Sequence, residues 1–226
     1  MSIEFVPFPK IPRLNRSMVV SEKIDGTNAA ILIVANADID HIDRQNGSPL
    51  QLFAGDAANL VAQTDTHFVF AQSRNKFITP GKSTDNYGFA GWVQRNAEAL
   101  VALLGEGRHY GEWWGSGIQS AYGLNGGDKR FSLFNTGRWV AADLPNNFGL
   151  GVVPVVYEGP FDNETINDVI DNLRAHGSWA APGFMRPEGV VVYQVASRTS
   201  FKVTLEGDAA PKGAAGHALD LEKVAA

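Results

Sequence analysis

Along most of its length the chain breaks into short β-branched or aromatic runs closed by Gly, Asn, Asp or Pro. Such runs lie at 29–34, 67–71, 108–111, 131–134, 152–157, 189–195 and 200–205, the signature of strands joined by tight turns. Only two stretches carry a helical period. In 91–104 the apolar positions are Val93, Ala97, Leu100, Val101 and Leu104, with Gly105 as a stop. In 164–176 they are Ile166, Val169, Ile170 and Leu173, with Asn163 as N-cap and Gly177 just past the end. Many strands, two helices and no strict alternation predict an α+β fold of largely antiparallel sheets.

No repeat and no Pro- or Ser-rich linker divides the 226 residues. The expectation is one domain over 1–205, with a polar insertion at about 38–66. An Ala- and Gly-rich tail follows at 206–226, either mobile or helical from Ala218. At 44% apolar and 19% charged residues the composition is that of a globular chain and not of a disordered one. No apolar run approaches the roughly 18 residues of a membrane helix. The first residues lack the layout of a signal peptide, so a cytoplasmic location with no membrane partner is expected, with a monomer favoured. The absence of cysteine excludes disulfides, thiol chemistry and Cys-ligated zinc. Histidines 41, 67, 109, 176 and 217 are too scattered to suggest a His-built metal site. A net charge of −5 disfavours coating nucleic acid through bulk charge, though not a local basic groove.

The stretch Ser21-Glu22-Lys23-Ile24-Asp25-Gly26-Thr27-Asn28 holds a Lys-x-Asp-Gly motif. Taken alone it reads as readily as a surface lysine ahead of an Asp-Gly hairpin turn into the run at 29–34. Further stretches follow in order: His109-Tyr110-Gly111-Glu112-Trp113-Trp114-Gly115, Lys129-Arg130-Phe131-Ser132-Leu133-Phe134-Asn135, Pro187-Glu188-Gly189-Val190-Val191-Val192, and Phe201-Lys202-Val203. Each by itself suits a core strand bearing one solvated charge. Their order and spacing resemble the five motifs of the covalent nucleotidyltransferases, and within them the ATP-dependent RNA ligases. Gly26-Thr27-Asn28 resembles the double-strand-type RNA ligases, the group of the phage T4 RNA ligase 2 and the RNA-editing ligases; DNA ligases and capping enzymes commonly have Arg where Asn28 stands. Gln72-Ser73-Arg74-Asn75-Lys76 and Asp85-Asn86-Tyr87-Gly88-Phe89 are similar to segments of the same ligases.

The resemblance implies the ligase adenylation-domain fold and a three-step reaction. A lysine attacks the α-phosphate of ATP, AMP passes from the lysine to an RNA 5′-phosphate, and a 3′-hydroxyl then displaces it. An amine attacks only when neutral, and an ordinary lysine is neutral in about one molecule in 2,500 at pH 7, a cost of roughly 4.6 kcal/mol. Neighbouring cations, a metal or burial must meet that cost. The resemblance makes Lys23 the nucleophile, places Glu112 at the ribose hydroxyls and Phe134 on the adenine, and gives Arg74 and Lys202 to phosphates. Phe131 competes for the stacking role, but alternation puts 131 and 134 on opposite faces. Asn28 belongs to the same nucleotide site, and Glu22 is expected at the adenine edge. With no Cys and no His cluster, the metal is expected to be an oxygen-ligated Mg²⁺ that keeps most of its waters, near Glu188 and secondarily Asp25. Arg13, Arg16, Lys76, Lys82, Lys129, Arg130 and Arg138 are candidates for an RNA groove. Trp113 and Trp114 are more often core residues in such a setting.

Two departures from the pattern stand out. The fifth motif usually has a second lysine where this chain has Thr204, so one phosphate contact is missing or supplied elsewhere, as by Lys212. Too few residues follow Lys202 for an OB-fold domain, so a minimal catalytic domain is expected. The alternatives are a minimal ATP-dependent DNA ligase and a nucleotide- or RNA-binding module without sealing activity. A GTP-using capping enzyme fits less well with Asn28.

Overall fold

The computed structural model describes residues 3–35, 57–145 and 147–206. The described residues divide into two compact units, one formed by those up to Lys23 together with those from Pro154 on, the other by those between Ile24 and Val153. The tail 207–226, Lys212 and the greater part of the insertion lie outside the described residues.

The first unit is a four-stranded antiparallel sheet in the order β11-β10-β1-β9, built from β1 (Ser17–Lys23), β9 (Val155–Pro160), β10 (Gly189–Gln194) and β11 (Thr199–Thr204). Period-2 alternation gives it one apolar face. There Met18, Val20, Val190 and Val192 pack on Ile166, Ile170 and Leu173 of helix α3 (Asn163–His176). The α3 cap is Asp162, one residue before the expected Asn163: its carboxylate accepts the Thr165 N–H at 2.9 Å.

The second unit is a seven-stranded sheet whose main path runs β3-β4-β2-β6-β7-β8. Its strands are β2 (Thr27–Ala35), β3 (Leu60–Gln63), β4 (His67–Ser73), β5 (Phe77–Ile78), β6 (Gly107–Gly115), β7 (Lys129–Leu133) and β8 (Leu150–Val152). Every pairing is antiparallel except β7 with β8. On one face Ile31, Val69, Trp113, Phe131 and Leu133 pack on Phe89, Trp92 and Leu100. Phe89, Trp92, Trp113 and Phe131 form an aromatic knot with ring centroids 5.0–5.8 Å apart.

Three expectations change. The helix expected at 91–104 is two, α1 (Phe89–Arg95) and α2 (Ala97–Leu104), broken at Asn96 (φ −114°, ψ 13°). The Asn96 side chain donates to the Trp92 carbonyl at 2.7 Å, competing with the helical ladder as short polar side chains do. The run at 152–157 ends β8, crosses Val153-Pro154 and starts β9, in different sheets. Asp25-Gly26 is no hairpin turn, because β1 and β2 belong to different sheets. Within the part of the insertion that is described, Leu60–Gln63 pairs with β4.

Candidate active site

Lys23 closes β1 and is paired across the sheet with Gly189, the first residue of β10. Its ammonium lies 2.5 Å from Glu188 Oε2, and the two side chains are 25% and 17% exposed. The Glu188 backbone carbonyl accepts the Leu205 N–H at 2.9 Å, which ties the start of β10 to the end of β11. Glycine is required at 189: φ is +153°, and a Cβ would stand 2.1 Å from the Val203 carbonyl oxygen. Gly189 in turn pairs with Thr204, and Val191 pairs with both Ser21 and Lys202. Directly opposed residues share a face. Lys23, Lys202 and Thr204 therefore share the face turned away from α3, with Lys202 exposed.

Glu22 alternates to the other face and is only 1% exposed. Ser178 donates its hydroxyl to one carboxylate oxygen at 2.6 Å, and the Ala180 N–H donates to the other at 2.8 Å. Burial pushes this carboxyl above the usual range, against those hydrogen bonds. Glu22, the residue expected at the adenine edge, thus has both carboxylate oxygens hydrogen-bonded within the first unit. The carboxylate is spent on holding the 178–180 loop to β1.

In the second unit Gly26 passes so close to β6 that a Cβ would meet the Trp113 carbonyl at 2.5 Å. The Asp25 N–H donates to the Tyr122 hydroxyl at 3.0 Å, and Asn86 donates to Thr27 Oγ1 at 2.9 Å. Asn28, Glu112 and Ser132 form one row across β2, β6 and β7, on the face turned away from the helices. Phe134, just beyond β7, is exposed, whereas Phe131 is wholly buried. Arg74 is exposed in the turn between β4 and β5. Trp113 and Trp114 are core residues.

With this geometry in view, the sequence matches the RNA ligase family over residues 16–204. The chain belongs to the RNA ligase family. A comparison with curated proteins gives no match. Among solved structures, this RNA ligase family chain is similar to Naegleria gruberi RNA ligase in several mutant forms. One with ATP and Mn is 17% identical, with a TM-score of 0.50, covering 85% of this chain and 51% of that one. A second with ATP and Mn is 16% identical, with a TM-score of 0.51 and the same coverage. A third, with AMP and Mn, is 16% identical with a TM-score of 0.50, covering 84% and 50%. At such identities the likeness shows the fold. The chain spans about half the length of those structures.

For an RNA ligase family member the described residues divide cleanly. Lys23, Glu188 and Lys202 are in the first unit; Asp25, Asn28, Arg74, Glu112 and Phe134 are in the second. Among the proposed groove cations, Lys129 donates to the Tyr87 carbonyl at 2.7 Å, Arg130 pairs with Asp128 at 3.1 Å, and Arg138 donates to the Leu104 carbonyl at 2.8 Å. These three are committed within the fold. Two supports escaped the sequence reading. Tyr122 is a buried residue with φ +50° and no periodic signal around it. The Asp85 carboxylate accepts from the backbone N–H groups of Asn86, Ala90 and Gly91, a cap legible only once α1 is known to begin at Phe89. The described residues hold no cluster of three or more His, Asp or Glu side chains. A cation here would rely on one or two carboxylates with water and phosphate oxygens, a donor set that suits Mg²⁺.

Proposed function

We propose that this chain is the adenylation domain of an ATP-dependent RNA ligase, joining 5′-phosphate and 3′-hydroxyl ends through AMP carried on Lys23. The observation that carries the reading is the 2.5 Å contact between Lys23 Nζ and Glu188 Oε2 on an open sheet face that also bears Lys202. Glu188 orients the amine and stands within reach to receive its proton. The Lys23 nitrogen forms a bond to the ATP α-phosphorus as the bond to pyrophosphate breaks. Lys202 offers positive charge on the same face, where charge builds up at phosphorus. An RNA 5′-phosphate oxygen then takes the AMP from Lys23, and a 3′-hydroxyl displaces AMP to close the phosphodiester. Glu112 and Asn28 supply the polar row for the ribose, Phe134 the exposed ring for adenine, and Arg74 a cation for phosphate. Glu188 would hold Mg²⁺ together with water and phosphate oxygens, and the ion would supply charge that neutralises the phosphates; Asp25 is a secondary candidate donor. The family match and the ATP and Mn named with the similar Naegleria structures support ATP and a divalent metal as cofactors.

The test is incubation with α-labelled ATP or GTP and Mg²⁺, followed by a denaturing gel. Acid-labile AMP on the wild type and none on Lys23→Ala is the expected result; labelling that survives in Lys23→Ala sinks the assignment. Nicked RNA and nicked DNA in one sealing assay separate the RNA ligase from a DNA ligase. Thr204 in the row of Lys23 favours a second reading, a binding module that no longer seals; pyrophosphate release from ATP would exclude a pure binding module, and sealing of the nicked RNA would exclude the loss of sealing.

A further inference from the structure

The face of the seven-stranded sheet turned away from α1 and α2 runs from a closed end to an open one along β6. At the closed end Trp114 is buried, donating its indole N–H to Ser132 Oγ at 2.9 Å and lying edge-on to Tyr122. Glu112 comes two residues earlier, in its row with Asn28. Two residues earlier again is Tyr110, 48% exposed. Beside it Phe134, 40% exposed, donates its backbone N–H to the Tyr110 carbonyl at 3.0 Å. Arg108 is next, exposed, its guanidinium donating to Gln72 and lying 6.0 Å from the Phe77 ring centre. Residues 108, 110 and 112 thus line one face at intervals of about 6.8 Å.

We propose that Tyr110 and Arg108 form a strand-binding stripe: Tyr110 stacks on a base of the RNA to be sealed, and Arg108 holds one of its phosphates. The inference rests on the ligase reading and extends it to the second substrate. Two exposed aromatic rings on neighbouring strands are how sheet surfaces take two nucleobases. One ring, Phe134, suffices for the adenine, which leaves Tyr110 for another base. The opposite face of β6 already carries the core through Trp113, so packing does not require a large ring at 110. Stacking tolerates any base, which suits an enzyme that joins ends of varied sequence. Arg108 adds positive charge at the open end of this row, on the same face as Tyr110.

The experiment measures binding of a short fluorescein-labelled single-stranded RNA to the whole chain without ATP, by anisotropy. Tyr110→Ala should weaken binding about tenfold or more, and Tyr110→Trp should restore it. Arg108→Ala should lower the slope of log K against log salt by about 0.7. Self-labelling of Lys23 is followed in the same preparations. A wild type that labels, beside a Tyr110→Ala variant that binds RNA equally well, overturns this inference alone. Equal losses of labelling and of RNA binding in Tyr110→Ala also overturn it, because they assign the ring to the nucleotide pocket or to the fold. A wild type that never labels overturns the ligase reading itself.

Discussion

Thr204 and Lys23 are paired to the same residue, Gly189, from opposite sides. With strands about 4.8 Å apart, their Cα atoms are about 10 Å apart and their side chains share a face. A lysine at 204 would add a cation to that face. Thr204→Lys should therefore speed the self-adenylylation of Lys23, by about tenfold on the scale of single charged contacts to a transition state. Sealing of a 5′-adenylated strand should change little. Single-turnover rates with ATP and with the pre-adenylated strand check both halves. A first step that slows or stays the same would mean another cation already serves there.

Glu188→Ala should reduce Lys23 adenylylation by about a hundredfold or more. The carboxylate is the partner that orients the amine, and it lies outside the apolar face against α3, so the thermal midpoint should move little. A label rate near wild type at ordinary Mg²⁺ would leave Glu188 as a solvated turn residue.

The sheets were legible in the sequence because β-branched alternation survives wherever one face meets a core. β1 escaped because Ser17, Ser21, Glu22 and Lys23 dilute its apolar set, although Met18 and Val20 are wholly buried. The change of sheet inside 152–157 was masked by continuous valines, yet Pro154 carried the warning, since proline interrupts a ladder. The motif order singles out Lys23 and Glu188, which the structure brings into contact, but motif order carries no information about which face each residue takes. Glu22, adjacent to Lys23, takes the opposite face because alternation sends neighbours to opposite faces. Tyr110 had a signal in its two-residue spacing from Glu112, but exposure decides its meaning and exposure is not in the sequence.

Gly189→Ala should destabilise the chain by about 2 kcal/mol or more, combining left-side backbone strain with a collision against β11. The Cβ would also sit 2.8 Å from the Thr204 Cα, so relief requires β11 to move, and Lys202 with it. Urea unfolding and the labelling assay should both show the loss. A variant with unchanged midpoint would mean the two strands part at little cost.

His109 is buried on β6, and its Nε2 lies 2.9 Å from the Gly105 carbonyl at the end of α2. Burial lowers its pKa below the ordinary 6.5, and Arg138 adds to the effect. The unfolded chain therefore binds the proton first. The stability this group provides is full above pH 6.5 and is lost as pH falls through that value toward the lowered one. His109→Gln keeps an N–H donor without the titration. Its unfolding free energy should show a shallower fall on acidification than that of wild type, and parallel curves would refute the assignment.

Glu22 gives the opposite sign. Burial raises its pKa above 4.5, so the folded chain holds the proton to higher pH than the unfolded one. Its stabilising contribution is full below about pH 4.5 and declines as pH rises through the raised value, then levels. Glu22→Gln does not titrate, and its amide turns a donor toward the donors Ser178 and Ala180. The variant should be less stable by about 1–3 kcal/mol, because a buried group loses its partner. The gap between wild type and variant should be widest on the acid side and narrow with rising pH. Chemical denaturation of both proteins across that range reads the gap directly. A gap that widens with pH would mean that the donors from Ser178, Trp179 and Ala180 outweigh burial and keep the carboxylate charged throughout.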